Sequence, residues 1–518
     1  MIKNIKWLLL VSLTFTACTE DEEVITYNTS DGQPLTAGSA DFSKYVALGD
    51  SFAAGFSDNA LFIEGQKGSY PAILAQQFAL AGGGEFRIPF MADNVGGFAG
   101  STTFTPRLYF NGTAPSSVAL PPFNQVSTTT LAPLGGTFNN FGIPGAKSFH
   151  LLAPNYGNPS GLGENPPTAN PYFVRMATAP AKTVLEDALA QNPTFFSLWI
   201  GGNDELGYAT AGGDPAVNPL TPQATFTGAY NGLIAQLTAG GRKGVIANLP
   251  SVTTLPYFYV IKYDQLKQTD LVDPASGVSL IPLLNAQLYG PLDNALTFLG
   301  QGDRINLLST TGNNPMIIKD ETLADLGPQL TAVLIGGGVP APQATVLGAV
   351  FGQVRQTKST DLICLSASTR IGRNTNLNLD GVVSPLPGND PTSLDRLGVT
   401  FPLPDRYILL PSEVTEIQAA TEGYNNTIEA AAAANNLAIV DAEAIMTQLT
   451  TTGISGNGFT MTDDFVTGGA FSLDGVHPSP RGYALIANKF LEAINAKYGS
   501  NFKGVSYADY RILFPPVL

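Results

Sequence analysis

Three short stretches of this chain place a serine, an amide and a paired carboxylate and imidazole where they could divide the work of acyl transfer. Asp474-Gly475-Val476-His477-Pro478 sets a carboxylate three residues before a histidine. On a tight loop the aspartate can meet the ring and hold the tautomer whose other nitrogen accepts a proton. Gly49-Asp50-Ser51-Phe52 closes the apolar run Tyr45-Val46-Ala47-Leu48, and a hydroxyl at the carboxyl end of a parallel strand stands where open α/β sheets bind ligands. Gly201-Gly202-Asn203-Asp204 ends a second apolar run; its glycines allow a sharp turn from which an amide can point back across the strand ends. Taken alone, the Ser51 and Asn203 stretches read more readily as turns, and a lone histidine is more often structural, although the paired aspartate favours His477. The three together are far more specific.

Other chemistry-bearing residues give weaker signals. His150, the one other histidine, reads as a packing or surface residue. Cys364 lies in the apolar run Leu362-Ile363-Cys364-Leu365 and reads as a buried, inert thiol. Gly336-Gly337-Gly338 is followed by no Gly-Lys-Ser/Thr and is a loop rather than a phosphate cradle; Asp463-Asp464 lacks the spacing of a metal loop. Asp441, at a strand end, could border the site but is assigned no role in it.

Positioning the three stretches requires strands that end at one edge. Short apolar runs, Tyr45–Leu48, Phe195–Ile200, Gly244–Asn248 and Leu437–Val440, alternate with amphipathic segments. The periodicity predicts helices over 70–81, 180–191, a segment carrying Phe226, Tyr230, Leu233 and Leu237, and 412–434. A last helix opens at Ser479-Pro480, an N-cap and N1 pair, and stops at Gly499. This alternation predicts a parallel sheet with helices on both faces. Two stretches, about 82–138 and 262–400, break the rhythm and read as insertions into a single domain spanning 41–518.

The chain of 518 residues carries a net charge of −15, which weighs against a nucleic-acid partner, because phosphate binding needs clustered Lys and Arg. At the N-terminus, Lys3 and Lys6 precede an apolar stretch, Trp7 to Phe15, too short for the ~20 residues that span a bilayer. Phe15-Thr16-Ala17-Cys18 then resembles a bacterial lipoprotein lipobox, which implies a signal peptide over 1–18, lipidation of Cys18 and attachment to the membrane through that lipid. The acidic run Glu20-Asp21-Glu22-Glu23 resembles the surface-export tag of Bacteroidetes lipoproteins, and reads equally as part of a solvated tether over 19–40. Location at the cell envelope, in the outer membrane, is the expectation. With Cys364 the one cysteine besides Cys18, no disulfide is expected within the mature chain.

Taken in order, Gly49-Asp50-Ser51, Asn140-Phe141-Gly142-Ile143-Pro144-Gly145-Ala146, Gly201-Gly202-Asn203-Asp204 and Asp474-x-x-His477 resemble the first, second, third and fifth sequence blocks of the SGNH/GDSL hydrolases. Asn248-Leu249-Pro250 is a further family-like feature, and Phe52 stands where the family name has Leu. The resemblance covers the framework from about 42 to 498 without the two insertions. It implies a three-layer α/β/α flavodoxin-like sandwich with a central parallel sheet of about five strands. It also implies an esterase or lipase in which Ser51 attacks an ester carbonyl, His477 takes its proton and Asp474 orients the ring. The N–H groups of Ser51 and Gly145 and the amide of Asn203 would form the oxyanion hole. Such chemistry needs no metal or organic cofactor. Lipid esters and acyl groups on glycans are both open as substrates, and a surface-binding lipoprotein built on the same fold is the competing class.

Overall fold

All five residues of strand β1 (Tyr45–Gly49) are buried, as expected of a strand covered on both faces of a parallel sheet. The computed structural model describes residues 32–118, 126–131, 133–388 and 392–518. Cys18 and the signal segment lie outside them. After β1 come α1 (Ser51–Ala54), α2 (Tyr70–Ala79) and a short strand β2 (Asn140–Gly142). Next are α3 (Val184–Leu189), β3 (Phe195–Trp199), α4 (Asn203–Thr210), α5 (Gln223–Leu237) and β4 (Lys243–Ala247). The C-terminal part supplies α6 (Pro411–Ala434), β5 (Ala438–Val440), α7 (Ala442–Thr451) and α8 (Pro480–Tyr498).

The five strands form one parallel sheet in the order β5-β4-β3-β1-β2. Gly49 is in register with Gly142 on one side and Trp199 on the other. The segments that follow β1, β2 and β3 therefore leave the same edge, side by side. Chain order reverses between β1 and β3, the kind of switch point at which the carboxyl ends of an open sheet leave a crevice. Strand β2 is the one that periodicity cannot find. Its sequence, Asn140-Phe141-Gly142, has one large apolar side chain and forms no apolar run, and its pairing with β1 creates it.

Helix α8 begins as its sequence predicts: the Ser479 hydroxyl accepts from the Gly482 N–H at 3.0 Å, Pro480 is the first helical residue, and Gly499 closes the helix with φ 71°. It buries Tyr483, Ala487, Phe490 and Ile494 and packs on α2 and β5, while α6 packs on α5. The proximal chain is less free than the tether reading expects. Pro34 to Ser39 lie against the end of α8, with Thr36 N–H donating to Asn501 Oδ1 at 2.7 Å and Ser39 N–H to the Tyr498 carbonyl at 2.8 Å.

The first insertion contributes an antiparallel pair, Leu108–Phe110 with Pro115–Ser117. The second has its own hydrophobic core, formed by residues from Ile261 to Leu410 and separate from the core around the sheet. It therefore runs past the expected end near 400, because Leu403, Tyr407 and Ile408 face the same interior. At its centre Arg355 donates to Asp361 through two nitrogens, at 2.6 and 2.8 Å, and to Asp320 at 2.5 Å. Among the described residues no helix is long and apolar enough to cross a membrane.

Candidate active site

Asp50 is the last residue before α1, and its carboxylate accepts from the Phe52 N–H at 3.0 Å, which turns the chain sharply out of β1. Ser51 is thereby the first helical residue, at the crevice end of the sheet. Burial, opposed in part by that hydrogen bond, pushes the Asp50 carboxyl up to about 7.

The histidine arrives from the other end of the chain. Residues 471–478 form a tight loop in which Ser472 N–H donates to the His477 carbonyl at 2.8 Å and Gly475 adopts φ 72°. His477 Nε2 lies 2.8 Å from Ser51 Oγ, and its Nδ1 lies 2.9 Å from Asp474 Oδ2. Asp474 Oδ1 accepts from the N–H groups of Val476 and His477, and Oδ2 from that of Asn59 at 2.8 Å. Burial alone would raise this carboxyl. The facing imidazole and the hydrogen bonds outweigh it and hold Asp474 down at about 2. With an acceptor facing Nδ1, the neutral ring keeps its proton there and leaves Nε2 free to accept from Ser51. The rings of Phe56 and Phe52 lie 4.5 and 5.5 Å from the imidazole and limit its movement.

Gly145 follows β2 in a turn whose pattern is that of type II. Pro144 precedes it, Gly145 has φ 79°, and the Ala146 N–H donates back to the Ile143 carbonyl at 3.0 Å. Asn203, the first residue of α4, donates through Nδ2 to the Ala146 carbonyl at 3.0 Å, which ties the amide to that turn. Its second amide hydrogen has no partner among the described residues, and Asn203 and Ser51 line the same cavity. The sequence-predicted residues thus meet as one group: Ser51, His477 and Asp474 through direct contacts, Asn203 through the shared cavity, Gly145 through its turn.

Two supports carry little sequence signal. Asn170 donates to the Pro144 carbonyl at 2.8 Å and caps the short helix Pro171–Val174, of which the Asn-Pro pair is a local hint. The Asp58-Asn59 pair binds the Asp474 loop, with Asp58 Oδ1 accepting from the Leu473 N–H at 3.0 Å. Both residues lie more than 400 positions from that loop, so only the fold reveals their role.

The remaining candidates are structural. His150 accepts from the Lys147 N–H through Nδ1 and stacks on Tyr156 at 4.7 Å; burial, then the Lys147 charge, pushes it down to about 4. Cys364 is fully buried, which drives its thiol up. Asp441 caps α7 and binds Asn248 rather than bordering Ser51. Glu321, Asp405 and Glu413 bring carboxylate oxygens within 4.8 Å of one another. Burial, followed by repulsion from neighbouring carboxylates, raises the Asp405 and Glu413 carboxyl groups.

No protein-family model, curated protein or solved structure matches this chain.

Proposed function

We propose that the chain is a serine hydrolase of carboxylic esters, of the SGNH/GDSL type, held at the bacterial cell envelope by a lipid on Cys18. The observation that carries this reading is the unbroken relay from Ser51 Oγ through the imidazole to Asp474. The strand order supports a three-layer, flavodoxin-like frame, in which the β1/β3 switch point is the binding crevice.

In this mechanism His477 Nε2 takes the Ser51 proton as Oγ bonds to the ester carbonyl carbon. The carbonyl oxygen becomes an oxyanion, stabilised by the free amide hydrogen of Asn203 and the N–H groups of Ser51 and Gly145. Collapse breaks the bond to the alcohol oxygen, which leaves with the proton from His477. Water then attacks the acyl-enzyme, again giving its proton to His477, and releases the acid while Ser51 regains its hydrogen. Asp474 stays ionised throughout and stabilises the imidazolium.

Hydrolysis of p-nitrophenyl acetate by wild type and Ser51→Ala tests the reading. Wild-type turnover that falls to the buffer rate in a folded Ser51→Ala protein is the expected result; equal turnover by the two proteins would remove Ser51 from the chemistry.

A further inference from the structure

We propose that the acyl chain of the ester lies in a second, apolar cavity beside Ser51, so that the substrates are esters of medium- to long-chain fatty acids. This rests on the reading of Ser51 as an ester-cleaving nucleophile. The second cavity lies between β5, α7 and α8, with Met446, Leu449 and Leu485 among its walls. It shares Phe52, Trp199, Pro250 and Leu255 with the cavity that contains Ser51. The two spaces are therefore neighbours across a common apolar wall.

Their polarity differs sharply. Around Ser51 stand Asp50 and Asn203, suited to a carbonyl and the charge it develops. None of the side chains lining the second cavity carries a charge or a hydroxyl. Its one polar side-chain group, the Trp199 indole N–H, is already donated to the Asn248 carbonyl at 3.1 Å. A sugar would lose its hydration there and find no hydrogen-bonding partner. An alkyl chain loses nothing and gains burial, worth about fourfold in affinity for each methylene enclosed. Phe52 connects the two functions: it follows the nucleophile directly, and its ring lies 5.0 Å from Trp199.

The test combines turnover of p-nitrophenyl esters from acetyl to decanoyl with binding of decanoate, read by tryptophan fluorescence. The chain has two tryptophans, Trp7 and Trp199; Trp7 falls in the proposed signal peptide, so protein beginning at position 18 reports from Trp199 alone. Wild-type kcat/KM should rise by about fourfold per methylene over the first additions, and decanoate should saturably shift the Trp199 emission. Ala442→Phe and Ile486→Phe each place a ring in the cavity, the latter from a partly exposed position on α8. Each should lower the decanoyl-to-acetyl ratio of kcat/KM by about tenfold or more and weaken decanoate binding. Ser51-dependent acetyl turnover with a flat or falling length profile and no decanoate binding would overturn the proposal and leave the hydrolase reading intact. Decanoate binding without turnover of any ester would overturn the hydrolase reading, and with it the assignment of this cavity to the acyl chain of an ester. Decanoate binding and length preference unchanged in both folded variants would put the chain elsewhere and overturn the assignment.

Discussion

At the scale of the residue, the site depends on one carboxylate being fully used. Asp474 accepts hydrogen bonds on both oxygens, from the imidazole and from three backbone N–H groups. Asp474→Asn keeps the shape but puts an amide N–H or a weaker acceptor against Nδ1, favouring the wrong tautomer; kcat should fall on the order of 10⁴-fold. The same residue gives a pH signature. Its carboxyl is held at about 2 in the folded protein, against an ordinary value of 3.8. The unfolded chain therefore binds the proton more readily, so this contribution to stability is complete above pH ~4 and is lost as pH falls toward 2. Melting temperatures between pH 5 and 2 should drop more steeply for wild type than for Asp474→Asn, and parallel curves would show that the carboxylate is not held as described. This much of the site is legible in the sequence, because acyl transfer restricts which residue types can occupy these positions. The groups that satisfy Asp474 are not legible, since the Asn59 contact is a backbone N–H more than 400 positions away, which leaves no side-chain signature.

At the scale of the element, three neighbouring strands deliver Ser51, Gly145 and Asn203 to one edge. Strands β1, β3, β4 and β5 and helices α2, α3, α5, α6 and α8 follow from apolar patterning and from caps such as Ser479 and Gly499, whereas α4 and α7 are not read from the sequence. Nor is strand β2, since it exists only through its register with β1. The oxyanion reading assigns Asn203 a task that packing does not, because one of its amide hydrogens is free while the other holds Ala146. Asn203→Ala should lower kcat by about 10²- to 10³-fold with KM little changed. A fall in thermal stability with kcat per folded molecule intact would reduce Asn203 to a brace for the turn.

At the scale of the whole molecule, the second insertion packs around a hydrophobic core of its own. The interrupted pattern over 262–400 shows that something is inserted, but its separate core depends on contacts between segments far apart in sequence. The walls of the apolar cavity are hidden for the same reason: they come from the end of β3, from β5, α7 and α8, from the residues after β1 and β4, and from the loop before α8. Arg355 secures the insertion core, with Asp361 fully buried beside it and Asp320 nearly so. Arg355→Met leaves both carboxylates unpaired and should cost about 3–5 kcal/mol, measured by urea unfolding. Proteolytic cuts should then appear first between residues 262 and 410, whereas an unchanged unfolding midpoint would mean that the core does not depend on this cluster.

The central claim is that Ser51 is a nucleophile activated through His477. Treating the folded protein with a fluorophosphonate and mapping the adduct by mass spectrometry tests it most directly. A single adduct on Ser51 is expected, absent from Ser51→Ala and strongly slowed in His477→Ala. No adduct on Ser51 in folded wild type, or labelling at an unchanged rate without His477, would contradict it.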